Sequence, residues 1–169
     1  MNTFLSDLEF GKTAEKELVK KLNDNMPLEY IYEINDVNGN DFGCDIKEIR
    51  TFEGDRDISN YIDVKAYKPP LFIKSFKGFY LETKSLRSGN LGWLLDPDKK
   101  TTAYILLKDA VSIYGNVSYE EAYYISKKAL IDACKEANLN GDLIKSKCAG
   151  ETEGVILPYR YLKKFKLNF

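Results

Sequence analysis

The sequence predicts an α/β protein with a central mixed β-sheet flanked by helices. Three observations predict this class: an amphipathic helical segment opens the chain, a run of strand-like segments follows, and a second helical segment lies near the end. No internal repeat and no Pro/Gly-rich linker divides the 169 residues. We therefore expect one domain over residues 1–169.

The first helix is predicted over residues 6–24. Leu8, Gly11, Glu15, Val19 and Leu22 recur at helical spacing and form its apolar stripe. Glu15 lies on or beside that stripe, where a carboxylate is seldom placed without a partner or a role. We therefore treat Glu15 as a candidate site residue.

Strands are predicted where β-branched and aromatic residues cluster between turn residues. They cover 29–35, 44–52, 61–67, 78–86, 102–110 and 121–127, and the second helix covers 127–139. We expect the polar residues 53–60 to form a connection. Residues 88–100 are expected to form a loop with a short turn of helix.

The composition excludes several kinds of catalytic site. The chain contains no histidine, which removes Ser-His-Asp triads, Cys-His dyads and His-ligated zinc. Its three cysteines are widely spaced and form no CxxC pair, so a zinc ribbon or a redox motif is not indicated. Any hydrolytic chemistry must therefore use carboxylates, lysines, tyrosines and a hard metal ion.

No apolar run approaches the length of a membrane span, and the first ten residues lack the pattern of a signal peptide. The sequence thus predicts a cytoplasmic protein with no membrane partner.

The net charge of the chain, −1, is unevenly distributed, because residues 60–90 hold six Lys/Arg and two Asp/Glu. Such a local basic surface can bind phosphate groups.

The strand 61–67 places two charged residues on one face. Side chains alternate along a strand, so Asp63 and Lys65 project together while Ile62 and Val64 project to the other side. Asp45 begins the preceding strand, directly after a glycine-rich turn. Sequential strands are often neighbours, so we expect Asp45 and Asp63 to lie close together.

Carboxylates on adjacent strands suit Mg²⁺, which takes oxygen ligands and is often held by one or two of them. An ion held there would neutralise a phosphate group and lower the pKa of an attacking water. Lys65 would orient that water or stabilise the developing charge. Glu15 would support the metal shell from the helix.

The order helix-Glu, strand-Asp, strand-(D/E)xK resembles the PD-(D/E)XK nuclease superfamily, which has the restriction-endonuclease-like fold. The resemblance covers roughly residues 6–85 and rests on "GKTAE", "DFGCD" and "DVK". The third motif has Asp63 where glutamate is commoner, and Cys44 stands in place of the proline that gives the family its name.

The resemblance implies metal-dependent hydrolysis of phosphodiester bonds, usually in DNA, with Mg²⁺ or Mn²⁺ as cofactor. Asp45 and Asp63 would be metal ligands and Lys65 the catalytic lysine, with Glu15 beside them. Nucleic acid is the expected partner, and a homodimer stays open because many such nucleases pair. The basic residues expected to contact nucleic acid are Lys68, Lys74, Lys77, Lys84 and Arg87.

Two alternatives stay open. Glu82 and Lys84 form a second E-x-K pair on the next strand, so either they are the motif or Glu82 is an auxiliary metal ligand. The chain could also be a catalytically inactive module of the same fold that binds nucleic acid or a protein partner.

Overall fold

The computed structural model describes residues 3–35, 44–67, 78–114, 116–148 and 151–169. Lys68, Lys74 and Lys77 fall outside these ranges. The elements in chain order are α1 (Thr3–Asn25), β1 (Tyr30–Ile34), β2 (Ile46–Phe52), β3 (Asp55–Ala66), β4 (Gly78–Ser85), β5 (Ala103–Lys108), β6 (Val111–Ile113), β7 (Asn116–Ser118), β8 (Glu121–Ser126), α2 (Lys127–Leu139), β9 (Ile144–Cys148) and β10 (Thr152–Pro158). Two short 3-10 helices, Tyr159–Tyr161 and Lys163–Phe165, follow.

A five-stranded mixed sheet with strand order β1-β2-β3-β5-β8 forms the centre of the fold. The β3–β5 pair is parallel, and the other neighbouring pairs are antiparallel. The pairing of β2 with β3 ends at Ile46 and Ile62, while β3 runs on to Ala66 beside β5.

Helix α1 covers one face of this sheet. Ala14, Leu18 and Leu22, spaced by four residues, are fully buried and belong to the same apolar cluster as Ile62 and Ile105 of the sheet. Burial of each leucine side chain stabilises the fold by about 1.5–3 kcal/mol.

The opposite face is covered by α2 and by a second sheet of order β4-β10-β9. Leu130 of α2, Phe79 of β4 and Leu157 of β10 are fully buried there, in one cluster with Tyr104 and Leu106 of β5. The predicted α/β class, a mixed central sheet flanked by helices, is confirmed. No helix among the described residues has the length and apolar character that would let it cross a membrane.

One local prediction was wrong. Residues 53–60 do not form a connection, because β3 begins at Asp55 and pairs with β2 through a turn at Glu53 and Gly54. Both turn residues have positive φ, at 50° and 94°, the conformation that a tight hairpin requires. The polar sequence of 53–60 reflects a hairpin exposed to solvent.

Residues 88–100 form a loop with a single turn of helix, as predicted. The Gly92 carbonyl accepts from the N–H groups of Leu95 and Asp96, both at 3.0 Å.

Other elements also differ from expectation. Helix α1 begins at Thr3, three residues earlier than predicted. Strands β9 and β10 were not predicted, although β10 is the central strand of the second sheet.

Candidate active site

Strand β3 presents Asp63 and Lys65 on the face turned away from α1. Ile62, Val64 and Ala66 pack into the cluster under α1, so the alternation predicted for this strand is observed. Lys65 Nζ lies 2.7 Å from Asp63 Oδ1, and the Asp63 residue is only 2% exposed. The Lys65 side chain stays 27% exposed, which leaves its ammonium group accessible to a ligand.

Asp45 lies next to β3 at the point where β2 begins. Its backbone N–H donates to the Ile62 carbonyl at 2.8 Å, and its Oδ2 accepts from the Val64 N–H at 2.7 Å. The carboxylate therefore binds the β3 backbone just beyond the last β2–β3 pair. This contact brings Asp45 beside Asp63.

The two carboxylates repel each other in a buried position. Burial, then the charge of Asp63 and a hydrogen bond to it, raise the pKa of Asp45 to about 8, and Glu15 adds to the effect. The Val64 N–H acts in the opposite direction. Asp63 Oδ2 is buried and accepts no hydrogen bond from the described residues unless Asp45 carries a proton. At neutral pH the pair therefore retains a proton, which a bound cation would displace.

Glu15 reaches the same edge of the sheet from α1. It lines a cleft of about 370 Å³ together with Phe10 and Gly11 of the helix and with Val64 and Tyr67 of the β3 segment. A side chain at Gly11 would meet Glu15 Oε1 at 3.8 Å, an ordinary contact, so packing here does not require glycine. Asp45 is thus within electrostatic range of both Asp63 and Glu15.

Glu82 and Lys84 lie on β4, in the second sheet rather than the central one. Glu82 is half-buried and Lys84 is exposed. Tyr67 lies between Asp63 and Glu82, and its hydroxyl donates to the Tyr80 carbonyl at 2.6 Å. The pKa of Tyr67 is raised well above its usual range, first by burial, then by the charge of Asp63 and, to a smaller extent, by the charge of Glu82. Of the two acid-x-lysine pairs, the one on β3 is the pair that lies beside Asp45.

The predicted basic surface is described only in part. Lys84 lies near the end of β4 and Arg87 in the turn that follows, and both side chains are exposed.

Sequence reasoning did not identify the contact between Lys65 and Trp93. Trp93 is half-buried and packs against the cluster that contains Leu106, and its ring centroid lies 5.4 Å from Lys65 Nζ. The signal that could have found it was weak: a single tryptophan in a glycine-rich loop.

Among the described residues, no group of three or more His, Cys, Asp or Glu side chains is arranged to hold a metal ion. A divalent cation at this edge would therefore depend on the Asp45–Asp63 pair together with water or substrate oxygens. Mg²⁺ accepts such a site, because it usually keeps several waters and binds through one or two carboxylates. The unpartnered Asp63 oxygen fits that requirement.

Comparison of the chain with protein-family models, with curated proteins and with solved structures gave no match.

Proposed function

We propose that the chain is a metal-dependent nuclease of restriction-endonuclease-like architecture that hydrolyses phosphodiester bonds, with DNA as the favoured substrate. One observation carries the proposal: the carboxyl groups of Asp45 and Asp63 are buried side by side next to the Lys65 side chain, so closely that the pKa of Asp45 is raised to about 8. Uncompensated buried charge is costly, so such a pair persists where a cation or a proton compensates it.

The site residues fit Mg²⁺ or Mn²⁺. Asp45 and Asp63 would hold the ion through carboxylate oxygens, the hard ligands that both metals prefer. When bound, the ion would neutralise the scissile phosphate and lower the pKa of an attacking water. Glu15, across the cleft, would support the metal shell, and Glu82 is an optional further carboxylate.

Lys65 would act directly on the substrate. Its ammonium group is anchored by Asp63 at 2.7 Å and its side chain is 27% exposed, so it could donate to a phosphate oxygen or orient water without losing its position. A preorganised donor aimed at developing negative charge contributes about 2.7–4 kcal/mol to catalysis in comparable sites.

The arrangement of elements supports the finer fold assignment. The acid of α1, the acid that opens β2 and the acid-x-lysine pair of β3 follow one another along the chain in the order typical of the PD-(D/E)XK superfamily. Asp45 and Asp63 also lie side by side, and Glu15 acts on Asp45 electrostatically.

Cleavage assays test the proposal. Supercoiled plasmid and single-stranded DNA are incubated with the wild-type chain in Mg²⁺, in Mn²⁺ and in EDTA, with Asp63→Ala alongside. We expect metal-dependent cleavage by the wild type, none in EDTA, and none by the variant at equal folded content. Cleavage in EDTA, or full activity of Asp63→Ala, would reject the proposed centre.

A second candidate is an inactive module of the same architecture that binds nucleic acid or a protein partner. The Asp63–Lys65 ion pair favours it, since each residue already satisfies part of the other's charge. This candidate predicts nucleic-acid binding that is equal in EDTA and in Mn²⁺, with no cleavage. Fluorescence anisotropy with a labelled duplex separates the two candidates.

A further inference from the structure

Trp93 lies against the candidate lysine, and the nuclease proposal leaves it without a role. Its ring faces Lys65 Nζ at 5.4 Å from the centroid, within the range of a cation–π interaction. Tryptophan is the aromatic side chain that attracts ammonium groups most strongly.

The loop that carries Trp93 is fixed against β4. The Gly92 N–H donates to the Thr83 carbonyl at 2.9 Å, and a side chain at Gly92 would meet backbone atoms of Glu82 at 2.5 Å. Only glycine permits that approach, because backbone cannot give way as a flexible side chain can. The loop position next to Trp93 is therefore determined by backbone contact with the second sheet.

Trp93 itself is held from the central sheet. The Tyr104 hydroxyl donates to the Trp93 carbonyl at 3.1 Å, and the two rings lie 4.9 Å apart between centroids. Tyr104 pairs with Asp63 in the β3–β5 register. The loop backbone at Gly92 and Trp93 is thus bonded to both sheets, and the indole ring packs on Tyr104 and lies over the amine of Lys65.

We infer that Trp93 is a positioning residue that holds the Lys65 ammonium group beside Asp63 through a cation–π contact, an inference that rests on the proposed nuclease function. The Lys65 amine then has two fixed neighbours, the Asp63 carboxylate and the indole face. Without the indole, a lysine side chain would sample other rotamers and lose alignment with the scissile phosphate.

The chain contains a single tryptophan, so the negative charge on the face of this one ring can be reduced with little change in its shape. Protein produced with mono-, di- and trifluorinated tryptophan carries the change at Trp93 alone. Fluorine withdraws charge from the ring face and weakens cation–π attraction. We expect kcat for plasmid cleavage to fall stepwise, by about tenfold over the series, with KM within about twofold. The free energy of unfolding should stay constant.

A second readout does not depend on activity. Lysines are labelled with ¹³C at Cε, and the Lys65 resonance is assigned by its absence in Lys65→Met. We expect an upfield ring-current shift in the wild type that is retained in Trp93→Phe and lost in Trp93→Leu. Leu95→Ala, an exposed change in the same loop, is the matched control and should alter neither the shift nor kcat.

Several outcomes overturn the inference. One is an unshifted Lys65 resonance in the folded wild type; another is a kcat indifferent to fluorination. If Trp93→Leu fails to fold, the fluorinated series decides alone. If the wild type cleaves no nucleic acid in either metal, the proposed function fails, and the Lys65 resonance still decides whether Trp93 fixes the lysine.

Discussion

Two buried carboxylates on neighbouring strands of the same sheet have opposite surroundings. Glu48 of β2, 6% exposed, accepts four side-chain hydrogen bonds. The donors are Tyr32 at 3.0 Å, Tyr124 at 3.1 Å, Ser59 at 2.7 Å and Asn60 at 2.7 Å. Asp63 of β3, 2% exposed, has one ion-paired oxygen and one that accepts no hydrogen bond from the described residues unless Asp45 is protonated.

The difference separates a structural carboxylate from a functional one. A buried carboxylate is tolerated when donors satisfy its oxygens, and around Glu48 four such donors converge from three other strands. At Asp63 the neighbouring side chains include a second buried acid, Asp45. The first arrangement is complete within the chain, whereas the second would gain stability from the cation that we propose it binds.

The largest expected effect tests which acid-x-lysine pair is used. Lys65→Met should lower kcat at least about 100-fold, because it removes the preorganised donor beside Asp63. Lys47→Met is the matched control, because Asp45, Ile46 and Lys47 form a further acid-x-lysine run, and it should retain activity. Plasmid cleavage rates in Mn²⁺ provide the measurement. Loss of activity in Lys84→Met with retention in Lys65→Met would move the site to β4.

The next effect concerns stability rather than chemistry. Glu48→Ala removes the acceptor of four hydrogen bonds, among them those of the buried Tyr32 and the half-buried Tyr124, and should lower the free energy of unfolding by about 2–4 kcal/mol. Asp63→Ala should lower it less, because it removes one ion pair with the partly exposed Lys65 rather than the acceptor of four hydrogen bonds. Urea denaturation of both variants provides the comparison. Equal destabilisation would remove the distinction between the two carboxylates.

A smaller effect is expected in the pH dependence of stability. The Asp45 carboxyl releases its proton near pH 4 in the unfolded chain and at about 8 in the folded one. Between these values the folded state binds more protons, so the free energy of unfolding should decrease as pH rises. With no histidine in the chain, few other groups titrate in this window.

Asp45→Asn is the control for this decrease, since it removes the titrating group and keeps the shape. Its unfolding free energy, measured in urea at pH 5.5 and pH 8, should change less than that of the wild type. Identical slopes in the two proteins would place the perturbed group elsewhere.

The smallest effect is expected at the exposed basic residues. Replacing Lys84 and Arg87 with alanine should weaken DNA binding a few-fold. It should also make the plot of log binding constant against log salt concentration less steep, by about one unit for each phosphate that is no longer neutralised. Lys128→Ala, an exposed lysine on α2, should change neither quantity. Anisotropy titrations over a range of salt concentrations measure both, and an unchanged slope in the double variant would exclude these residues from the interface.

The periodic features of the sequence predicted the fold to the extent that packing follows local pattern. The alternation at Asp63 and Lys65 is visible in the chain and in the structure, whereas α1 buries Ala14, Leu18 and Leu22, of which the predicted stripe contained only Leu22. The hairpin at residues 53–60 was missed because its exposed strands carry no apolar face.

The acidic residues of the candidate site could be predicted from the sequence, but the side chains that surround each of them could not. Glu48 attracted no notice because its donors come from residues up to 76 positions away. The contact between Trp93 and Lys65 depends on how a loop docks on the second sheet, which strand patterns do not encode. Whether a buried acid is satisfied or unsatisfied is decided by long-range packing, and only the structure displays it.

The most direct test is calorimetric titration of Mn²⁺ into the wild type, Asp63→Asn and Glu48→Gln at pH 7. We expect one ion bound per chain with release of a proton, binding abolished in Asp63→Asn and retained in Glu48→Gln. Absence of binding by the folded wild type, or equal binding by Asp63→Asn, would contradict the assignment of the Asp45–Asp63 pair as a metal centre.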